Sequence, residues 1–244
     1  MILIIGSTHD DILYFESVMT NKREEKLLNI YPLTFGSIFN QEVVLVHDVY
    51  TSYISSFVTS YIIQKYFVVL VFVVGKCVSY NDDVKAGDIV VSKRVIMGDV
   101  DQVKETNVKL GQIPHFPRSL ESSDEVIGYI NAALEKRSFA RHSTATFISA
   151  NAILEKKEKV QPLIMNDYVL GHKSNIVFDC VSGGVFISCT LYSIPVVAVK
   201  VVEKQIDELS TTDKYIGVLK QYSSVGRAVV TCIGDIGRND IIKE

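Results

Sequence analysis

The chain opens on an apolar run, Met1–Gly6, and then turns mixed, with Ile12, Leu13, Phe15, Val18 and Met19 recurring on one side of a helical wheel. The first stretch predicts a strand and the second a helix over 10–19. Leu28–Ile38 and Glu42–His47 read as a hairpin or meander, with Gly36 and Asn40 near the turns. Ile54, Phe57, Val58, Tyr61 and Ile62 predict a helix over 51–65, and the unbroken apolar run Phe67–Val74 predicts a central strand ended by Gly75. Another strand spans Asp88–Met97, entered through the turn Lys85-Ala86-Gly87-Asp88. From Gly98 to Ser122 the pattern is mostly loop, punctuated by Gly111, Pro114 and Pro117.

Ser123–Lys136 predicts a helix, with Ser122 or Ser123 as N-cap and Asp124 and Glu125 in the first turn. Thr144–Ser149 reads as a strand, and Lys157–Leu170 as helical in part, interrupted by Pro162. Asn175–Phe178 is a short strand, Asp179 a helix cap, Cys180–Tyr192 a helix, Pro195–Val202 a strand and Asp213–Cys232 the last helix. This order predicts a three-layer α/β fold with a mixed sheet, formed by one domain over 1–244. The early meander argues against a purely parallel, doubly wound sheet.

Composition sharpens that expectation. The chain is 48% hydrophobic with a mean hydropathy of +0.22, which fits a sheet covered on both faces. Net charge is −3 and no basic face stands out, so nucleic acid is an unsuitable partner. Cys77, Cys180, Cys189 and Cys232 are scattered, without paired metal spacing, and the five histidines are isolated. They predict reduced thiols, no metal and no cofactor. The N-terminus lacks a basic leader and reads as a first strand. The most apolar run, Phe67 to Gly75, falls short of the ~20 residues that cross a bilayer. The expected setting is the cytoplasm.

Candidate chemistry starts at residues 195–208, P-V-V-A-V-K-V-V-E-K-Q-I-D-E, where a buried strand turns abruptly polar. Ligands of open α/β sheets sit beyond the carboxyl ends of parallel strands. Glu203, Lys204 and Asp207 are therefore the residues to weigh. The competing reading is a solvated, charged loop at a strand end.

Several stretches line up in order with one family. They are I-I-G-S-T-H-D-D (4–11), V-V-G-K-C-V-S with V-K-A-G-D-I-V-V-S (73–79 and 84–92), G-Q-I-P (111–114), I-S-A-N-A-I-L (148–154), V-F-D-C-V-S-G-G (177–184) and I-P-V-V-A-V-K-V-V-E-K (194–204). With these the chain resembles the nucleoside phosphorylase superfamily, and within it the 5′-methylthioadenosine/S-adenosylhomocysteine nucleosidases. The resemblance implies an α/β/α sandwich around a twisted mixed sheet, a small-molecule nucleoside as ligand, and a homodimer or a hetero-oligomer with a related chain.

It also implies roles, position by position. The family's general acid, the Asp of an S-D pair, aligns with Lys204, a poor proton donor to a purine nitrogen. Glu203 stands one residue away, where strand alternation predicts the opposite face. Asp207 would replace the acid only if the loop slipped by three residues. The ribose-gripping Glu aligns with Val181, which leaves sugar hydroxyls unpaired. Asp179 aligns with the preceding Glu of that motif and serves equally as a helix cap. Asp11 aligns with the water-orienting Glu, and a first-turn role for Asp10 or Asp11 has equal weight. The remaining substrate-contacting positions are Ser7, Lys76, Ile153, Leu154, Cys180 and Lys200, with Ile113 and Pro114 in a loop that reaches a neighbouring subunit. Thus the fold-forming positions match and the chemical ones are mostly replaced. The expectation is a nucleosidase-like protein with a degenerate site, a purine-nucleoside binder or a catalytically impaired homologue; the alternative is a divergent but active nucleosidase that releases adenine.

Overall fold

The structure is a computed structural model that describes residues 1–137, 141–152, 154, 156–165 and 174–238. Ten strands form a single mixed sheet: β1 (Ile2–Ile5), β2 (Thr20–Leu27), β3 (Tyr31–Ile38), β4 (Gln41–Val46), β5 (Leu70–Ser79), β6 (Ile89–Met97), β7 (Leu120–Glu121), β8 (His142–Ser149), β9 (Asn175–Asp179) and β10 (Val196–Gln205). Helices α1 (Leu13–Val18), α2 (Ser52–Tyr66), α3 (Val103–Thr106), α4 (Asp124–Arg137), α5 (Lys157–Met165), α6 (Ser182–Tyr192) and α7 (Thr212–Arg238) surround it.

Half of the sheet closes on itself. β5 pairs with β10, β10 with β6, β6 with β8, β8 with β9, and β9 returns to β5. The other half runs outward from β5 as β1, β4, β3 and β2. β1, β4, β5 and β10 are parallel, so their carboxyl ends share one rim.

Burial follows strand alternation. Ile2, Ile4, Phe72, Val74, Val197, Val199 and Val201 face a layer that includes α4 and α7. Leu3, Ile5, Val71, Val73, Val196, Ala198 and Val202 face α2 and α6. With both faces covered, the stretch Leu70–Val74 of β5 carries no polar side, which is why its unbroken apolar run foretold a strand. A smaller cluster of Val78, Ile96, Ile148, Leu163, Phe178 and Ile206 packs at the end reached by α5.

Four sequence expectations change. Residues 10–19 form a 3-10 turn over His9–Asp11 followed by the short α1, because Thr8 and Asp11 close a capping box across the turn. β2, T-N-K-R-E-E-K-L, lies in a stretch given no element, since it is almost wholly exposed at the edge of the sheet. β5 does not end at Gly75 but continues to Ser79, held by β10 and β9. β10 continues through Gln205, so Glu203 and Lys204 lie in a strand and not in a solvated loop. The tail of the helix expected over 157–170 falls on 166–170, outside the described residues.

Candidate functional site

Five ionisable side chains gather at the common rim. Asp11, Asp179, Lys200, Glu203 and Lys204 are each at most 8% exposed. Charges are buried at such density only when paired or hydrogen-bonded.

Asp179 ends β9, and Lys200 lies in β10. Lys200 Nζ sits 2.6 Å from Asp179 Oδ2. The same oxygen accepts the Ser182 N–H at 3.1 Å and the Ser182 hydroxyl at 2.5 Å. Ser182 opens α6 and Val181 is its N-cap, so Asp179 is not the cap residue expected; from just before the helix it accepts the first helical N–H while holding its ion pair. Burial pushes the Asp179 carboxyl up, yet the Lys200 ammonium and the hydroxyls of Ser182 and Ser149 hold it below the usual carboxylate range. Burial likewise pulls Lys200 down, and Asp179 outweighs it, leaving the ammonium above its ordinary value.

Asp11 closes the 3-10 turn after β1. Its Oδ2 accepts the Thr8 N–H at 2.9 Å, while Oδ1 is buried without a hydrogen-bond partner. Gly75 makes room for it: a Cβ there would lie 2.9 Å from Asp11 Oδ2, and the backbone φ of +130° also favours glycine. Behind Asp11 stands Tyr222 of α7, whose hydroxyl is pushed up by burial and by the Asp11 carboxylate.

Glu203 owes its place to a bulge. Val202 pairs with Cys77, and Lys204, not Glu203, takes the next register position opposite Val78. The extra residue breaks the alternation on which the sequence reading relied. Lys204 therefore occupies the position that unbroken pairing would give Glu203. The Glu203 carboxylate meets Lys76 Nζ at 2.9 Å. Lys76 Nζ also lies 5.3 Å from the Tyr215 ring centroid, and the Tyr215 hydroxyl donates to Asp10 Oδ2 at 2.6 Å. That hydrogen bond, with burial, pushes the Tyr215 hydroxyl up to about 12. Burial also pushes the Cys77 thiol up, as expected of an inert core cysteine.

Of the sequence-predicted residues, Asp179 pairs with Lys200 across β9 and β10, Asp11 packs against Gly75 of β5, next to Lys76, and Lys204 is buried in β10 in register with Val78. Ser7 is half-buried just after β1. Val181 is buried, and its carbonyl accepts the Ser55 hydroxyl at 2.8 Å. Cys180, beside it, directs its thiol towards the Ala152 carbonyl at 3.9 Å. Leu154 packs against the smaller apolar cluster, and Ile153 lies outside the described residues. Ile113 and Pro114 are half-buried in the loop between α3 and β7, where the Ile113 carbonyl accepts the Phe116 N–H at 3.0 Å. Asp207 is exposed, and its Oδ1 accepts the Lys157 N–H at 3.3 Å, which ties it to α5 rather than to Asp11. Sequence reasoning missed Tyr215 and Tyr222. Both follow from the amphipathic phase of α7, but their partners lie some two hundred positions away.

Two hollows of about 320 and 360 Å³ share Ser123, Ser193, Ile194 and Pro195 at the amino ends of β5 and β10, opposite the ionisable cluster. All four cysteines are free thiols. No described helix is long and apolar enough to cross a membrane.

Closed five-strand ring, flanking helices and a charged rim at the carboxyl ends define a class that comparison makes explicit. Residues 2–231 match the model of the phosphorylase superfamily, and the chain belongs to that family. It is similar to the 5′-methylthioadenosine/S-adenosylhomocysteine nucleosidase of Exiguobacterium sp., at 20% identity over 84% of this chain and 85% of that one. The enzyme of the same name from Staphylococcus haemolyticus is 25% identical over 57% of this chain, an alignment that spans 60% of the relative's length. Among solved structures, the Neisseria meningitidis nucleosidase in complex with methylthio-immucillin-A superposes with a TM-score of 0.85 at 17% identity, covering 96% of this chain and 98% of that one. The futalosine hydrolase of Helicobacter pylori gives 0.84 at 17% identity, over 96% and 97%. At identities this low the structural likeness shows the fold alone.

Proposed function

We propose that this chain is a purine-nucleoside or purine-base binder of the nucleosidase family whose hydrolytic step is lost or impaired. One observation carries the reading: at the end of β10 a lysine, Lys204, takes the register position, while the adjacent carboxylate, Glu203, is engaged by Lys76 at 2.9 Å. Protonating a departing purine needs an acid free to approach the base. A glutamate held as an acceptor by an ammonium is committed elsewhere. Val181 adds to this, because a buried valine offers nothing to sugar hydroxyls. Purine binding is supported by the relatives, whose structures include one with methylthio-immucillin-A and one, from Borrelia burgdorferi, bound to adenine.

A divergent, active nucleosidase is the second reading, and Asp11 favours it. Its buried, unpartnered Oδ1 is an acceptor able to orient a water. Free thiols fit a cytoplasmic protein. Assembly as a homodimer, or with a related chain, completes the proposal.

The test is direct. Purified protein is incubated with methylthioadenosine and with adenosylhomocysteine, and free adenine is measured by chromatography. Adenine is separately added in a thermal-shift titration. The proposal expects no release and a concentration-dependent rise in Tm, since a ligand that binds only the folded state stabilises it by mass action. Steady turnover would establish the second reading instead.

A further inference from the structure

The face opposite the ionisable cluster carries two recesses that the purine-binding reading leaves unused. The first, of about 320 Å³, lies between the start of β5, the first turn of α4, the turn after α6 and the end of α7. Its walls are Val68, Leu70, Val126, Ile194, Pro195 and Ile236. Val68, Leu70, Val126 and Ile236 are buried. The volume is about twice the ~150 Å³ of an apolar protein cavity that takes benzene.

These walls are held in place by the backbone. The Val71 N–H donates to the Pro195 carbonyl at 3.0 Å, the Ser123 N–H to the Val196 carbonyl at 3.1 Å and the Ile194 N–H to the Cys189 carbonyl at 2.9 Å. β5, the start of α4 and the end of α6 are thus fixed around one rim, and an occupant loses little free energy to ordering them.

Charge at this rim has one sign. Among the described residues that line the two hollows, the charged ones are Glu125 in the first and Glu121 in the second. Glu121 is engaged: it accepts the Ser119 hydroxyl at 2.7 Å and faces Arg94 at 3.7 Å. The exposed Glu125 carboxylate has no hydrogen-bond or ion-pair partner among the described residues. An apolar hollow edged by a free carboxylate suits a ligand that is apolar at one end and cationic at the other.

Phe67, just before the lining residue Val68, points the same way. It ends α2 with a left-handed φ of +49° and is 88% exposed. Glycine is the usual residue in that conformation, and a bulky side chain there is strained. Burial contributes almost nothing for so exposed a ring. The Met1 ammonium donates to the Phe67 carbonyl at 3.2 Å and is balanced by the charge of Glu42. An aromatic ring held in water beside such a hollow is suited to an organic cation.

We propose that this hollow is a second ligand site and that it takes a small aryl-alkyl ammonium ion, with the ring between the apolar walls and the ammonium on Glu125. The site stands apart from the purine-binding reading and needs nothing from it.

Tryptamine is the probe. The chain lacks tryptophan, so indole fluorescence excited beyond the tyrosine band belongs to the ligand, and its anisotropy against rising amounts of the full chain reads binding. Tryptamine should bind at least about 5-fold more tightly than indole-3-acetate, which carries the same ring and the opposite charge. Glu125→Gln should weaken tryptamine about 5-fold, the scale of one exposed ion pair, and leave uncharged indole unchanged. Phe67→Gly should weaken tryptamine while raising Tm, because glycine relieves the left-handed cap; a loss of structure would not give that pairing. Val69→Phe, at a half-buried position lining the same hollow, should abolish binding. In methyl NMR of the unsubstituted chain, tryptamine should shift Leu70 and Ile236 and leave Val202, at the far end of β10, unmoved, which locates the ligand even if Val69→Phe fails to fold. No binding at millimolar tryptamine, equal affinity for tryptamine and indole-3-acetate, or shifts at Val202 in place of Leu70 and Ile236 overturns the proposal.

Discussion

Lys200 Nζ lies 2.6 Å from Asp179 Oδ2 with both side chains almost fully buried, so neither charge can be removed alone without stranding the other. Lys200→Met should cost about 3–5 kcal/mol, whereas adding Asp179→Asn to it should recover a large part. Urea denaturation of the two singles and the double gives the coupling. Its pH dependence has a definite sign. The folded Asp179 value is depressed, so its contribution is present above the unfolded value of about 3.9 and fades as pH falls through the folded one. The folded Lys200 value is raised, so its contribution holds below about 10.4 and fades as pH climbs through the folded one. Wild type minus double variant should therefore be flat across the neutral range and shrink at both extremes.

Lys76 and Glu203 are also paired, but Lys76 is half-exposed to water. Lys76→Ala or Glu203→Gln should shift stability by no more than about 1 kcal/mol, readable from thermal melts. The same variants separate the two functional readings. An active enzyme using Glu203 as its acid would lose adenine release in Glu203→Gln; in the proposed binder, whose hydrolysis is already lost or impaired, the substitution should change release little.

The Tyr215 hydroxyl should titrate near 12 because it donates to Asp10. In Asp10→Asn it should move towards the ordinary value of about 10. NMR of ring-labelled tyrosine checks this, with Tyr215→Phe giving the assignment.

Two glycines should answer an alanine scan in opposite directions. A Cβ on Gly184 of α6 would lie 1.9 Å from the Ser52 carbonyl of α2, so Gly184→Ala should cost at least about 3 kcal/mol or prevent folding. Gly128, inside α4, has nothing within 4 Å of the same point, and Gly128→Ala should stabilise by about 0.5–1 kcal/mol. Chemical denaturation of the pair tests both.

What could be read from sequence divides along physical lines. Continuous apolar runs such as Leu70–Val74 announced themselves because two covered faces leave no polar phase. Asp11, Asp179 and Lys200 were legible through motif order, and they do converge. The bulge at Glu203 was not, because register belongs to the pairing with β5 and not to β10 alone. Tyr215 and Tyr222 escaped for a related reason: their significance lies in Asp10 and Asp11, distant in the chain and adjacent only after folding. β2 escaped because a pattern search looks for greasy residues, and this strand has almost none.

That last strand has a consequence for how the protein behaves in a crowded solution. Since five strands form a ring, β2 is the long outer margin left on the open half of the sheet, and it carries Lys22, Arg23, Glu24, Glu25 and Lys26. A charged hem of this kind resists adding another molecule edge to edge. Replacing Lys22, Glu24 and Lys26 with valine should leave the interior intact yet convert a dispersed protein into one that polymerises.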